Sequence, residues 1–287
     1  MEPPAVTIPY YAPSAPFPLP TIAEIESGEP FQSRPDHGWK TVFVGEKFMV
    51  KCGDSQSVSL IEGEHILFLS RVLESKVKLP VIYALYTDTN SEGQSLNFIV
   101  MERVYGACLD TIWPSLEEKS KQVIASTFKA FFQELRSIPA PGYYGSIGRR
   151  PVLVGFGDTL RSNGLIDGPF SSQQEFNNAF ASNLVKDTSE KPALRLQLYS
   201  RMMNKALNDH PACFTYGNFG LDNIVLDGEG GLTIINWQDS GWLPTYWEYI
   251  TAVCDVEFDD EMHLWIASMI PTFEAEFCVV QTMYRGG

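Results

Sequence analysis

The sequence predicts an α+β protein in two lobes, a sheet-rich N-terminal lobe followed by a mainly helical one, and three observations carry that reading. Strand-like runs crowd residues 41–104, led by Thr41-Val42-Phe43-Val44 and the run from Lys47 to Lys51. Beyond Gly106 the apolar spacing changes to that of amphipathic helices. One turn-rich segment, Asp227-Gly228-Glu229-Gly230-Gly231, joins two short β-like runs inside the helical part. The expected division is a Pro-rich arm over residues 1–35, the sheet-rich lobe over 36–104, and the helical lobe with its inserted hairpin over 105–287.

Residues 1–35 hold nine of the nineteen prolines, which predicts an extended arm rather than a helix. The runs from Thr41 and Lys47 predict a hairpin turning near Gly45-Glu46. Ser57 to Glu74 reads as a helix with Leu60, Ile61, Phe68, Leu69 and Val72 on its apolar stripe. Strands over Val81–Tyr86 and Leu96–Val104 follow, separated by a polar loop. Ser115 with Glu118, and Ser172 with Glu175, have the spacing of capping boxes that open helices. The first helix carries Ile124, Phe128, Phe131, Phe132 and Leu135 at helical spacing and stops before Pro139. A Gly- and Pro-rich loop spans Ala140–Pro169, and a third helix is expected from Ala193 to Leu207. The hairpin strands are Asn223–Leu226 and Leu232–Ile235, and Trp242–Val253 is read as helix. The acidic run Glu257–Glu261 reads as a solvated face.

A formal charge of −14 and the lack of any Lys/Arg cluster larger than the pair Arg149-Arg150 argue against nucleic acid and against an anionic membrane surface. The longest apolar runs, such as Ile66-Leu67-Phe68-Leu69, are too short to span a bilayer. The N-terminus lacks the basic start and apolar run of a secretory signal, so a cytoplasmic protein is expected. Five scattered cysteines without a CxxC spacing read as reduced thiols, and four scattered histidines offer no zinc pattern. No metal site is expected from composition.

Several segments resemble the aminoglycoside phosphotransferase-like kinases, especially their fungal branch, across residues 40 to 260. Phe98-Ile99-Val100-Met101-Glu102 followed by Gly106 is similar to that family's hinge, and Leu135-Arg136-Ser137-Ile138-Pro139 to its "LRSIP" stretch. Gly168-Pro169-Phe170 with Glu175-Phe176-Asn177 resembles another recurring pair. Phe214 to Tyr249 is the most specific piece, resembling the region "FTHGDLxxxNI…IIDWExxGWxPxYWEY". The resemblance implies a bilobal, protein-kinase-like fold.

It also implies a set of roles. In that family a strand lysine paired with a helix glutamate holds nucleotide phosphates, and Lys51 and Glu62 match those positions. Glu64 stands close by, and register with Phe68 favours Glu62. An aspartate in "HGD" accepts the proton of the acceptor hydroxyl, and one in "IIDW" holds Mg²⁺ with help from an asparagine. Here those segments read Tyr216-Gly217-Asn218 and Ile235-Asn236-Trp237-Gln238, and only the helping amide, Asn223, is as the family has it. A neutral amide cannot accept a proton, and loss of a general base costs about 10²- to 10⁴-fold. Nor does an amide bring the charge that a hard cation prefers.

Three readings stay open at this stage. The first is a cofactor-independent cyclase or isomerase acting on a small apolar organic substrate, a pericyclic or Diels–Alder-type step included. Asn218, Asn236, Lys51 and Tyr216 would then be catalytic, with Glu62, Asn223, Gln238, Met101 and Phe219 binding substrate, and no ATP or Mg²⁺ required. The resemblance to the fungal branch points such a reading towards secondary metabolism. The second is a non-catalytic pseudokinase that binds nucleotide or a partner protein. The third is a weak phosphotransferase that uses Asp222 or Asp239. The aromatics Trp237, Trp242, Tyr246, Trp247 and Tyr249 read as packing residues. Oligomeric state is not legible in the sequence.

Overall fold

Apolar and polar residues alternate badly along Phe48–Gly53, and the reason is that this strand is buried on both faces. It is the fourth strand of a computed structural model that describes residues 6–34, 38–153, 165–166, 168–185, 191–254, 256 and 260–285. Parts of the 140–169 loop and of the acidic run 257–261 lie outside the described residues. In chain order the first elements are β1 (Tyr10–Tyr11), α1 (Ile22–Glu26), β2 (Glu29–Arg34), β3 (Trp39–Val44), β4 (Phe48–Gly53) and α2 (Ile61–Val72). They are followed by β5 (Ile82–Thr89), β6 (Ser95–Glu102), β7 (Ala107–Cys108) and α3 (Leu109–Ile112). Next come α4 (Glu118–Ser137), β8 (Val152–Leu153), β9 (Leu165–Ile166), α5 (Gln173–Val185), α6 (Pro192–Ala206) and β10 (Ala212–Thr215). The chain continues with β11 (Ile224–Leu226), β12 (Leu232–Ile234), β13 (Gly241–Pro244), α7 (Trp247–Val253), α8 (Met262–Met269) and α9 (Glu274–Arg285). The class is α+β, as the sequence predicts.

The chain divides into two units: one takes the described residues up to Ile112 together with Asp222–Gln238, the other Trp113–Leu221 and the residues from Asp239 onward. The β11–β12 hairpin, read from sequence as an insert of the helical lobe, groups with the first unit, where it forms a separate three-stranded sheet in the order β12-β11-β7.

In the first unit six strands form an antiparallel sheet in the order β1-β5-β6-β4-β3-β2. Val42, Val50, Cys52, Phe98 and Val100 point to one face, where they pack with Ile25 of α1. The intervening Met49 and Lys51 face the other way, because strand side chains alternate. The Pro-rich segment is built into this unit: β1 and β2 are extended strands that close the two sheet edges, and between them Thr21 and Glu24 cap the short helix α1 reciprocally. Prolines forbid central strands but are tolerated on edges, where a missing N–H leaves no ladder bond unmade.

Helix α2 starts four residues later than expected. Ser57 is taken up by a turn in which the Asp54 carboxylate accepts the Gln56 and Ser57 N–H groups (2.8 and 2.9 Å). A Cβ on Gly63 would come within 2.2 Å of the Leu85 side chain, so the glycine sets how closely α2 lies on β5.

In the second unit α4 buries Phe128, Phe131, Phe132 and Leu135. It begins at Glu118 with Glu117 as its N-cap; Trp113–Ser115 instead forms a tight 3₁₀ turn, so the expected capping box does not open the helix. At α5 the Glu175 N–H donates to Ser172 Oγ (3.2 Å) as expected, while the reciprocal bond comes from the Ser171 N–H, which donates to the Glu175 carboxylate (2.8 Å). Residues 241–244 are a strand rather than the start of a helix. Gly241 and Pro244 are poor helix formers, and the segment pairs with β10 in the register Cys213↔Leu243 and Phe214↔Trp242. Among the described residues no helix is long and apolar enough to cross a membrane.

Candidate functional site

Lys51 sits mid-strand on β4, and Ile99 and Leu85 stand in line with it across β6 and β5 on the same face. Because α2 is drawn onto Leu85 at Gly63, the preceding residue, Glu62, is delivered to the lysine. The Lys51 Nζ to Glu62 Oε2 distance is 2.6 Å, with both side chains about 2% exposed. Glu64, the other candidate, is also buried. Met101 lies on this face too, opposite Met49, and is buried in the sheet.

The segment after β12 supplies the rest of the cluster. Trp237 is buried, its ring N–H donating to the Ile234 carbonyl (3.1 Å), and its own carbonyl lies 2.8 Å from His65 Nδ1 of α2. This clamp fixes Asn236 and Gln238 on either side of the tryptophan, and each presents its side-chain oxygen to Lys51 Nζ at 3.3 Å. An ammonium has three donors. Glu62, Asn236 and Gln238 match them one for one. The indole of Trp39 lies 5.2 Å from the same ammonium.

Asn236 is held from its other side as well. Its Nδ2 donates to Asn223 Oδ1 at 2.7 Å and to Gln32 Oε1 at 3.1 Å, and Gln32 Nε2 donates to the Asp222 carbonyl at 3.0 Å. Asn236 has φ of 59°, a left-handed conformation that Asn and Asp tolerate better than other side chains. Gln238 Nε2 donates to no described residue, and the side chain is half-buried. Asp222 is exposed in the short turn before β11.

The second unit holds the other predicted residues. Tyr216 is fully buried, and Asn218 is half-buried. Phe219 packs edge-on against Phe128 and Phe132, with ring centres 5.4 and 5.1 Å away. The backbone of this loop hangs on a residue that the sequence reading passed over. Glu248, buried in α7, accepts the Tyr216 N–H (2.7 Å) and the Gly217 N–H (3.2 Å), while Ser240 Oγ donates to the Tyr216 carbonyl (3.0 Å). Burial pushes the Glu248 carboxyl up to about 7, although the two N–H donors and the nearby Arg136 pull it down. Gly217 has φ of 78°, and a Cβ there would meet the Asp239 carbonyl at 2.7 Å, so the turn requires glycine. The clue to Glu248 was available: one acid inside the otherwise apolar run Trp247–Ile250.

Residues 37–268 match the phosphotransferase enzyme family (APH), and the chain belongs to that family. Solved structures agree in fold. The GDP and kanamycin complex of APH(2")-IIia superposes with a TM-score of 0.60 at 17% identity, covering 93% of this chain and 85% of that one. The GDP complex of aminoglycoside 2'-phosphotransferase-IIIa gives 0.56 at 16% identity, covering 90% and 81%. The streptomycin–ATP complex of APH(2")-IIa gives 0.55 at 15% identity, covering 92% and 82%. No curated protein matches the chain in sequence.

Family chemistry calls for Mg²⁺ on the nucleotide, and the amide cluster does not fit that ion. Mg²⁺ is held through carboxylates and phosphate oxygens. Here Asn236 Oδ1 faces an ammonium and Asn223 Oδ1 accepts an amide N–H, so both oxygens are neutral and already engaged. Among the described residues no group of three His, Cys, Asp or Glu side chains could hold a metal.

Proposed function

We propose that this member of the phosphotransferase family does not transfer phosphate, and that it acts without cofactor on an uncharged, apolar organic molecule, as a cyclase or isomerase. In this reading Asn218 and Asn236 stand where active relatives carry aspartates. The observation that carries it is the matching of all three Lys51 donors by Glu62, Asn236 and Gln238. An ammonium so occupied has no donor left for a triphosphate, and two of its partners are amides with no charge to exchange for a metal.

The same arrangement supports a different use of the charge. Lys51 draws electron density from the Gln238 carbonyl, which strengthens its Nε2–H groups as donors. Those donors suit a substrate carbonyl oxygen on which negative charge builds during an intramolecular ring closure. A fixed donor of this kind contributes about 10²- to 10³-fold. The remaining acceleration would come from holding the substrate in its reactive shape. A Diels–Alder-type or other pericyclic step on a secondary metabolite needs no base and no cofactor, and so fits this set of side chains.

A second reading has one observation in its favour. The 2.6 Å Lys51–Glu62 pair is the arrangement that nucleotide-binding relatives are expected to keep, and a pseudokinase binding ATP without metal would need it. Incubation of the purified protein with carbonyl-bearing polyenes, without ATP or Mg²⁺, separates the two. The expected result is an isomer of unchanged mass formed faster than in buffer, with Gln238→Leu slowing it about 10²-fold. No isomer above the rate in buffer would contradict the proposal, as would a phosphorylated product in a parallel incubation with ATP and Mg²⁺.

A further inference from the structure

Position 236 is read from two directions, and only one functional group satisfies both. On one side stands Lys51 Nζ, which can only donate, 3.3 Å from Asn236 Oδ1. On the other stands Gln32 Oε1, 3.1 Å from Asn236 Nδ2. Gln32 cannot turn its amide over without cost. Its Nε2 lies 3.0 Å from the Asp222 carbonyl, a group that can only accept, so its oxygen is forced towards Asn236. Asn223 Oδ1 adds a second acceptor at 2.7 Å from the same Asn236 nitrogen. A carboxamide offers an oxygen to the lysine and two N–H groups to the acceptors. A carboxylate has no donor, and would set an oxygen against Gln32 Oε1.

The N-terminal segment is built to place this glutamine. Gln32 lies on β2, an edge strand, just after a register irregularity between Pro30 and Gln32. Such a bulge leaves a residue out of the ladder and re-aims the side chains beside it. The contact links residues 204 positions apart in the chain.

We infer that Gln32 is a specificity-determining residue that admits an amide at position 236 and bars a carboxylate, and with it a divalent cation. The inference deepens the proposed function by naming what keeps the cluster uncharged, and it rests on that reading only in taking the cluster as the site. Conversion of the site towards a metal-binding form therefore requires a change at residue 32 as well as at residue 236. The backbone does not confuse the comparison, because Asp tolerates the left-handed φ of residue 236 nearly as well as Asn.

The test is a melting cycle on the full chain with Gln32→Ala, Asn236→Asp and the double variant, each with and without millimolar Mg²⁺. Gln32→Ala alone should lower the melting temperature. On top of Asn236→Asp it should raise it, by about 3–5 °C, since contacting polar groups couple strongly and the substitution removes an oxygen–oxygen repulsion. Recovery of folding in the double variant where Asn236→Asp alone fails to fold is the same result. Additive melting shifts would overturn the inference. Added Mg²⁺ should widen the gap between the double variant and Asn236→Asp, and a gap unchanged or narrowed would overturn the claim about the cation. No nucleotide or organic substrate enters the experiment, so a failure here is separate from a failure of the proposed reaction.

Discussion

Two segments of this chain, one around Lys51 and the other at Tyr216–Phe219, are held in opposite ways. Around Lys51 in the first unit, polar side chains satisfy one another through Gln32, Asn223, Asn236 and Gln238, and the Glu62 carboxylate is paired with the ammonium. The Tyr216–Phe219 loop of the second unit is instead suspended by backbone N–H groups from the buried carboxylate of Glu248. An acid holds the backbone of the second segment, and neutral amides surround the ammonium of the first. One buried carboxylate thus holds a backbone turn while another balances a buried cation, and the two uses answer to different tests.

The largest expected effect tests the supporting acid. Glu248→Ala leaves two buried N–H groups without an acceptor and opens a void, and should cost about 3–5 kcal/mol in urea unfolding. A loss below about 1 kcal/mol would mean that the loop stands without Glu248. The next effect tests the paired acid. Lys51→Met strands Glu62 as a buried, unpaired charge and should cost about 3 kcal/mol, whereas Lys51→Met with Glu62→Leu should recover most of that loss. A double variant as unstable as the single would show that the amides, rather than the charge balance, set the stability of the cluster.

A further effect is in pH. Glu248 holds its proton more tightly in the folded chain, where it titrates near 7, than in the unfolded chain, where 4.5 is usual. Its stabilising contribution is therefore complete below about pH 4.5 and is lost as pH rises through about 7, at up to about 1.4 kcal/mol per unit. Arg136 favours the charged form and moderates this slope, and the Cys213 thiol nearby is pushed up, away from ionisation. Glu248→Gln should flatten stability between pH 5 and 7 relative to the native protein; an unchanged slope would place the titration elsewhere.

Much of this was legible in the sequence because it lay in local pattern. Strands β3 to β6, the hairpin β11–β12 and the helices α4 to α6 follow from periodicity and turn residues, and the pairing of Lys51 with Glu62 is what the family resemblance implies. What stayed hidden was set by partners distant in sequence. Prolines obscured β2 because an edge strand tolerates what a central one does not. Residues 241–244 are a strand only because β10 is there to pair with them. Gln32 gave no signal at all, since its part depends on a backbone carbonyl at Asp222, 190 positions away. The α1 capping box at Thr21 and Glu24, and the acid at 248 in an apolar run, were signals present in the sequence.

The most direct measurement is the melting temperature of the native protein titrated with ATP, with and without Mg²⁺. A ligand that binds only the folded state at a hundred times its Kd stabilises by about 2.7 kcal/mol, an easily read shift. With all three Lys51 donors occupied and neutral amides at positions 218 and 236, no shift is expected under either condition. A rise that requires both ATP and Mg²⁺ would contradict the account and return this chain to the working phosphotransferases.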